Sequence, residues 1–241
     1  MDIKNKIIEF DRMISNSSII ENVAEKSKIN KLSIPDFMLL DNIKYIEGIN
    51  NFIIDKRYLD YFKVINNSCC WIYTNKENQF IYGGFLLYGC TDALCFESDF
   101  WKIYNPIDGQ KLDDNELEFF KKLNWFDKQS WGDDGKYSCF LREPGEFPPK
   151  LYFYDCGAYF PMTITFDEYF DAMIASCGVR GWQYFYIDIP DDFPDFREVN
   201  KTVVLKDLEF ILEMLPKLFP DKDFSYHIGR MEYIKERLEN N

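Results

Sequence analysis

The sequence predicts one domain of mixed helices and strands, with helical additions at both ends. Two observations carry that expectation. Some segments repeat apolar residues at three- and four-residue steps, the signature of a helix with one buried face. Others are short runs rich in Trp, Ile, Tyr and Phe bounded by polar turns, which read as strands. Both kinds meet in the stretch Lys150–Pro190, around which the rest is organised. It reads as strand, turn, strand, capped helix and return strand. Thr165 and Glu168 have the spacing of a capping box, and Ile164 with Tyr169 that of a hydrophobic staple. Phe166, Tyr169, Phe170, Met173, Ile174 and Cys177 then form one apolar stripe, closed by Gly178, which adopts the left-handed conformation freely.

The remaining elements follow in order. Ile3, Ile7, Phe10 and Ile14 step by four, three and four, which predicts a first amphipathic helix ending near Asn16. Around Ser33–Leu40 the expectation is loop and short strand. Tyr58, Tyr61, Phe62 and Ile65 outline a helix with Asp55 as its N-cap, ended by Asn66-Asn67. Trp71–Thr74, a polar turn at Asn75–Gln79 and the run Phe80–Cys90 read as a hairpin followed by another strand, Phe85–Tyr88. Gly83-Gly84 inside the second run marks a bulge or a close backbone approach. Asp113 and Glu116 cap a short helix carrying Leu117, Phe120 and Leu123. Trp125–Phe140 is aromatic and turn-rich, with Gly132–Gly135 as a loop. Beyond the central stretch, Pro190–Phe196 resists regular structure. Leu208, Ile211, Leu212 and Leu215 then form a helix that Pro216 bends or ends, and Met231, Ile234 and Leu238 outline a last one.

Composition limits the function classes. A chain of 241 residues with 46% hydrophobic and 18% aromatic content has the material for a large core, which excludes a disordered protein. With 41 acidic against 28 basic residues the net charge is −13, so no basic footprint for nucleic acid is expected. The seven cysteines lack framework spacing and suit reduced thiols. No apolar signal core and no run of 18 apolar residues is present, so a cytoplasmic, non-membrane protein is expected.

Catalytic and metal motifs are missing. Cys69-Cys70 and Cys90/Cys95 do not have zinc-ligand spacing, and the lone histidine, His227, is distant from them. The aspartates at Asp108 and Asp133-Asp134 do not match a calcium loop. There is no phosphate-binding glycine loop and no nucleophile elbow. No catalytic residue, metal ligand or cofactor is expected. The most distinctive polar feature follows the central stretch. Asp188, Asp191, Asp192, Asp195 and Glu198 lie within eleven residues against one opposing charge, Arg197, with Phe193 and Phe196 interleaved and Trp182 and Tyr184 just before. Two readings stay open. The tract is a partner-facing loop, its carboxylates steering a basic protein and its aromatics anchoring it; or it is a solvated loop whose phenylalanines tuck into the core. Glu97, Asp99 and Trp101 form a smaller candidate of the same kind.

Two stretches bring a family into view: Ile54–Phe62 leading through Asn66-Asn67 to Ile81–Gly89, and the strand pair that ends in Thr165-Phe166-Asp167-Glu168-Tyr169-Phe170. Together they resemble the SUKH superfamily, the Smi/Knr cell-wall-regulator type, over roughly residues 54–188. The flanks 1–53 and 189–241 lie outside the match. Asp55 stands where the family has Pro, and Asn67-Ser68 where it has Asn-Gly. The resemblance implies an α+β fold with a mainly antiparallel sheet packed by helices. It also implies no enzymatic activity, and a role as an immunity protein that binds and neutralises a cognate bacterial toxin, in many members a nuclease. The acidic balance points to a basic toxin. Two other readings remain: an interaction scaffold or regulator without a toxin partner, and a hydrolase built on clustered carboxylates.

Overall fold

A seven-stranded antiparallel sheet organises the molecule, and the fold is α+β. The structure, a computed structural model, describes residues 3–23, 36–62, 67–88, 90–95, 113–129, 135–193 and 199–239. In chain order the strands are β1 (Glu21–Asn22), β2 (Phe52–Ile53), β3 (Asn67–Thr74), β4 (Phe80–Leu87), β5 (Leu123–Lys128), β6 (Lys136–Leu141), β7 (Gly145–Glu146), β8 (Leu151–Asp155) and β9 (Ala158–Pro161). The large sheet has the order β1-β3-β4-β5-β6-β8-β9, while β2 pairs in parallel with β7. The helices are α1 (Ile3–Ser15), α2 (Asp36–Asn50), α3 (Leu59–Phe62), α4 (Cys90–Cys95), α5 (Asp114–Lys122), α6 (Phe166–Ala175), α7 (Lys201–Leu218) and α8 (Ser225–Glu239). Short 3-10 helices occupy Lys56–Tyr58 and Trp182–Tyr186. Among the described residues no helix is long and apolar enough to cross a membrane.

Local chemistry sets the boundaries. The β3–β4 hairpin turns on Asn75, whose Oδ1 accepts from the amides of Glu77 and Gln79 at 2.9 Å each. Asp55 caps its 3-10 helix by accepting from the Arg57 amide. Asp113 accepts from the amides of Asn115 and Glu116, and Glu116 returns a bond to the Asp113 amide, so the capping box at α5 is complete. Asp113→Ala is expected to lower stability by about 1 kcal/mol, read as a shifted denaturant midpoint with an unchanged slope. At α6 the Glu168 carboxylate accepts from both the amide and the hydroxyl of Thr165 at 2.8 Å.

The sheet has two unlike faces. Toward α6, Phe126 stacks on Phe140 with centroids 4.3 Å apart, and Phe166 packs edge-on against Phe126, Phe140 and Phe147. The register shift between Trp125 and Asp127 is a bulge, and it turns both Phe126 and Asp127 toward α6. Buried residues from Ile3 to Leu238 join this core, so α1 and α8, from the two flanks of the chain, both contribute to it. On the α1 side Lys6 pairs with Asp171 of α6 at 2.5 Å. On the α3 side, Tyr58 and Tyr61 donate to the Asp167 carboxylate at 3.1 Å. A separate cluster of Phe120, Leu123, Tyr137, Cys139, Leu141 and Tyr154 lies on the opposite face, under α5.

The central stretch docks on the sheet through bare backbone. Gly84 donates its amide to the Gly178 carbonyl at 2.8 Å, Arg180 donates to the Tyr82 carbonyl, and the Trp71 indole donates to the Cys177 carbonyl at 2.9 Å. Gly83-Gly84 is therefore a close approach and not a bulge, and β4 runs through it unbroken. The expected separate strand at Phe85–Tyr88 is, as far as Leu87, part of that same β4, and Tyr88 follows its end.

Three further expectations are corrected. Residues 36–50 form α2 rather than loop and short strand, because Leu39, Ile43 and Ile46 recur at helical spacing and are buried. The return strand after α6 is the 3-10 helix Trp182–Tyr186; all five of its side chains are buried, four of them aromatic and the fifth Gln183, a pattern without an exposed phase that suits strand or helix alike. The turn-rich reading of Trp125–Phe140 gives way to β5 and β6, whose aromatics alternate between the two faces. The loop at residues 132–134 and the helix end at Ile65 and Asn66 lie outside the described residues.

Candidate functional site

The acidic tract divides once its side chains are placed. Trp182, Tyr184 and Phe193 are buried, 1%, 3% and 5% exposed. Phe193 stacks on Phe160 with centroids 5.4 Å apart, and Trp182 packs on Tyr169 and Tyr186. These aromatics hold the tract to the core and are not accessible anchors. Asp188, Asp191 and Asp192 are exposed. Asp191 is paired with Arg237 at 2.5 Å, and Asp188 lies 3.9 Å from Arg230. Both arginines also clip the adjacent backbone. Arg230 donates to the carbonyls of Phe185 and Ile187, and Arg237 to that of Ile189. Opposing charges brought from α8 thus face a tract that is strongly acidic in sequence. Asp195, Phe196 and Glu198 lie outside the described residues, as do Glu97, Asp99 and Trp101.

A different surface has the composition of a contact face. On the side of the sheet away from α6, cross-strand register lines up two rows. One runs Trp125–Cys139–Tyr152–Pro161, the other Lys128–Tyr137–Tyr154–Tyr159. Tyr88 stands edge-on to Trp125 at 4.1 Å, and the Lys128 ammonium lies 5.5 Å over the same indole. Phe119 of α5 leans on Tyr152 and Tyr159, so the helix covers one end of the rows. Tyr88 and Tyr159 remain 36% and 37% exposed, and Trp125 and Tyr152 are half-buried. Glu116, Glu118 and Glu143 are exposed carboxylates on α5 and just after β6. Burial, and then the nearby charge of Glu143, push the Tyr152 hydroxyl up, so it stays a neutral donor. Rigid aromatics with polar tips on a stiff sheet supply contact area at low entropic cost. The signal in the sequence was faint: aromatics fall on both phases of the two-residue period, so the rows emerge only when the strands are aligned.

Inside the core, two carboxylates face tyrosines. Asp127 accepts from the Tyr169 hydroxyl at 2.5 Å and from the Leu86 amide at 3.2 Å, and Tyr169 Oη also lies 2.7 Å from the Ser138 hydroxyl. Burial pushes the Asp127 carboxyl up to about 7, against the pull of these hydrogen bonds. Asp155 pairs with Lys136 and accepts from Tyr184 at 2.7 Å. The single histidine, His227, is 1% exposed among Phe185, Tyr186, Phe224 and Tyr226, with Nε2 3.1 Å from the Tyr186 hydroxyl. Its burial pulls it down to about 4. Among the described residues no three His, Cys, Asp or Glu side chains converge as a metal-holding group. Comparisons with family models, curated proteins and solved structures return no match to this chain.

Proposed function

We propose that this protein binds and neutralises a basic toxin protein in the cytoplasm, as an immunity protein that acts by covering its partner and performs no reaction of its own. The observation that carries the reading is the aromatic face of the sheet, with Tyr88, Trp125, Tyr152 and Tyr159 accessible over a rigid base. Tyr and Trp are the residues that most often dominate binding energy at protein contacts. The net charge of −13 selects a basic partner and speeds its capture. Membership of the SUKH superfamily is part of the same proposal, supported by the residues quoted above and by the α+β architecture that they imply.

Co-expression with the products of neighbouring genes, followed by affinity capture and a toxicity assay, tests it. Tyr88→Ala and Tyr159→Ala are each expected to weaken the complex about tenfold or more while leaving the melting temperature nearly unchanged. Raising the salt concentration is expected to slow association more than it speeds dissociation. A toxin that is neither captured nor neutralised would remove the reading. Capture insensitive to both tyrosines would keep the partner but move the contact elsewhere.

A further inference from the structure

Helix α2 is apolar on more of its surface than the fold uses. Leu39, Ile43 and Ile46 are buried and dock it on the core. Displaced from them by one residue, Met38, Asn42, Tyr45 and Ile49 follow steps of four, three and four. Met38, Tyr45 and Ile49 are 49%, 59% and 45% exposed, and Asn42 is half-buried. These are the steps of d, a, d and a positions in a heptad, the seam along which one helix packs on another. Three large exposed apolar side chains on one line of about 17 Å are not scattered surface residues. Beside the line stand one acid and one base, Asp41 and Lys44, both exposed. Gly48 continues that flank, and nothing lies within 4 Å of where its Cβ would stand.

We infer that α2 of a second copy of this chain covers this seam, as an antiparallel helix pair about a two-fold axis. In such a pair the d positions of one helix meet the a positions of the other. Met38 then packs on the other copy's Ile49, and Asn42 faces the other copy's Tyr45. That middle layer is the one with polar groups on both sides, and a polar layer within an apolar seam fixes register. The same register sets Asp41 about 3 Å along the axis from the other copy's Lys44, on the same flank. The two-fold axis repeats the pair. Parallel packing would instead bring like charges level with each other. The face thus matches itself in its apolar, polar and charged positions, as an isologous contact requires. It shares no residue with the aromatic rows, and its test needs no toxin. A seam this short buries less than the roughly 800 Å² per partner of a standard interface, so the dimer is weak.

Sedimentation equilibrium of the full chain from about 10 μM to about 1 mM is expected to show monomer and dimer, with Kd on the order of 100 μM. Tyr45→Glu is expected to weaken the dimer about tenfold or more, because it sets a carboxylate in the seam of both copies. Asp41→Lys and Lys44→Asp are each expected to weaken it several-fold, since each then faces a like charge. An equal mixture of these two variants is expected to recover the parent affinity: one copy carries two lysines on its flank and the other two aspartates. All three side chains are exposed, so the fold is not at stake. A chain that stays monomeric to about 1 mM overturns the inference and leaves the seam to a helix of another protein. A dimer indifferent to Tyr45→Glu, or a mixture no tighter than either variant alone, overturns it too.

Discussion

Asp127→Asn and His227→Gln are expected to tilt the pH dependence of stability in opposite directions. The Asp127 carboxyl is held near 7 in the folded protein against an ordinary value near 4, because burial disfavours its charge. Between those values the folded state keeps a proton that the unfolded chain has released. Its contribution is therefore complete below pH 4 and is lost as pH rises through 7, at about 1.4 kcal/mol per pH unit. For His227 the signs reverse. Folding holds it near 4 against an ordinary 6.5, since burial outweighs the favourable charge of Asp223. The unfolded chain takes up a proton that the folded state refuses. Stability from this residue is complete above pH 6.5 and is lost as pH falls toward 4.

The two windows overlap from about 4 to 6.5, so in the parent protein these contributions nearly cancel. Asp127→Asn leaves the histidine alone, and stability then rises with pH across that window by about 3 kcal/mol. His227→Gln leaves the aspartate alone, and stability falls by a similar amount. Denaturant unfolding at half-unit pH steps reads both slopes. Parallel profiles in parent and variants would mean that neither group keeps its burial-shifted protonation.

Gly83→Ala is expected to cost about 3 kcal/mol or more, a drop in melting temperature of roughly 10 °C for a chain of this size. A Cβ at Gly83 would stand 2.6 Å from the Trp71 ring and 2.7 Å from the Gly178 carbonyl oxygen. Neither neighbour gives way cheaply. Trp71 is fully buried, with its indole nitrogen committed to Cys177, and the Gly178 carbonyl is committed to the Gly84 amide. The new methyl group must push α6 off the sheet or twist β4. Gly229→Ala is the matching control. Nothing lies within 4 Å of its added carbon, and it sits inside α8, so the substitution is expected to stabilise by about 0.5–1 kcal/mol. Equal effects at the two glycines would refute the close docking of α6 on β4.

The elements written in short-range chemistry were legible in the sequence. Apolar spacing gave α1, α6, α7 and α8, and acidic residues at the right offset gave the caps at Asp55 and Asp113, because a turn of helix is decided by residues three or four apart. Segments buried on every side were not legible. Trp182–Tyr186 is buried throughout, with aromatics at four of its five positions, which erases any period, and α2 carries exposed Met38, Leu40, Tyr45 and Ile49 that blur its stripe. The site was less legible still. The carboxylates at Asp188 and Asp191 read as an open charge because Arg230 and Arg237 come about forty residues later. The aromatic rows need four strands in register. Such contacts between distant positions leave no local period to detect.

Arg230 and Arg237 are seven residues apart, two turns on one face of α8, and they meet the carbonyls of residues 185–189. During synthesis those carbonyls leave the ribosome long before their donors exist. A chain halted ahead of residue 225 lacks the arginines that claim the carbonyls of Phe185, Ile187 and Ile189. Closure of this segment therefore awaits the synthesis of α8, however early the sheet beneath it forms.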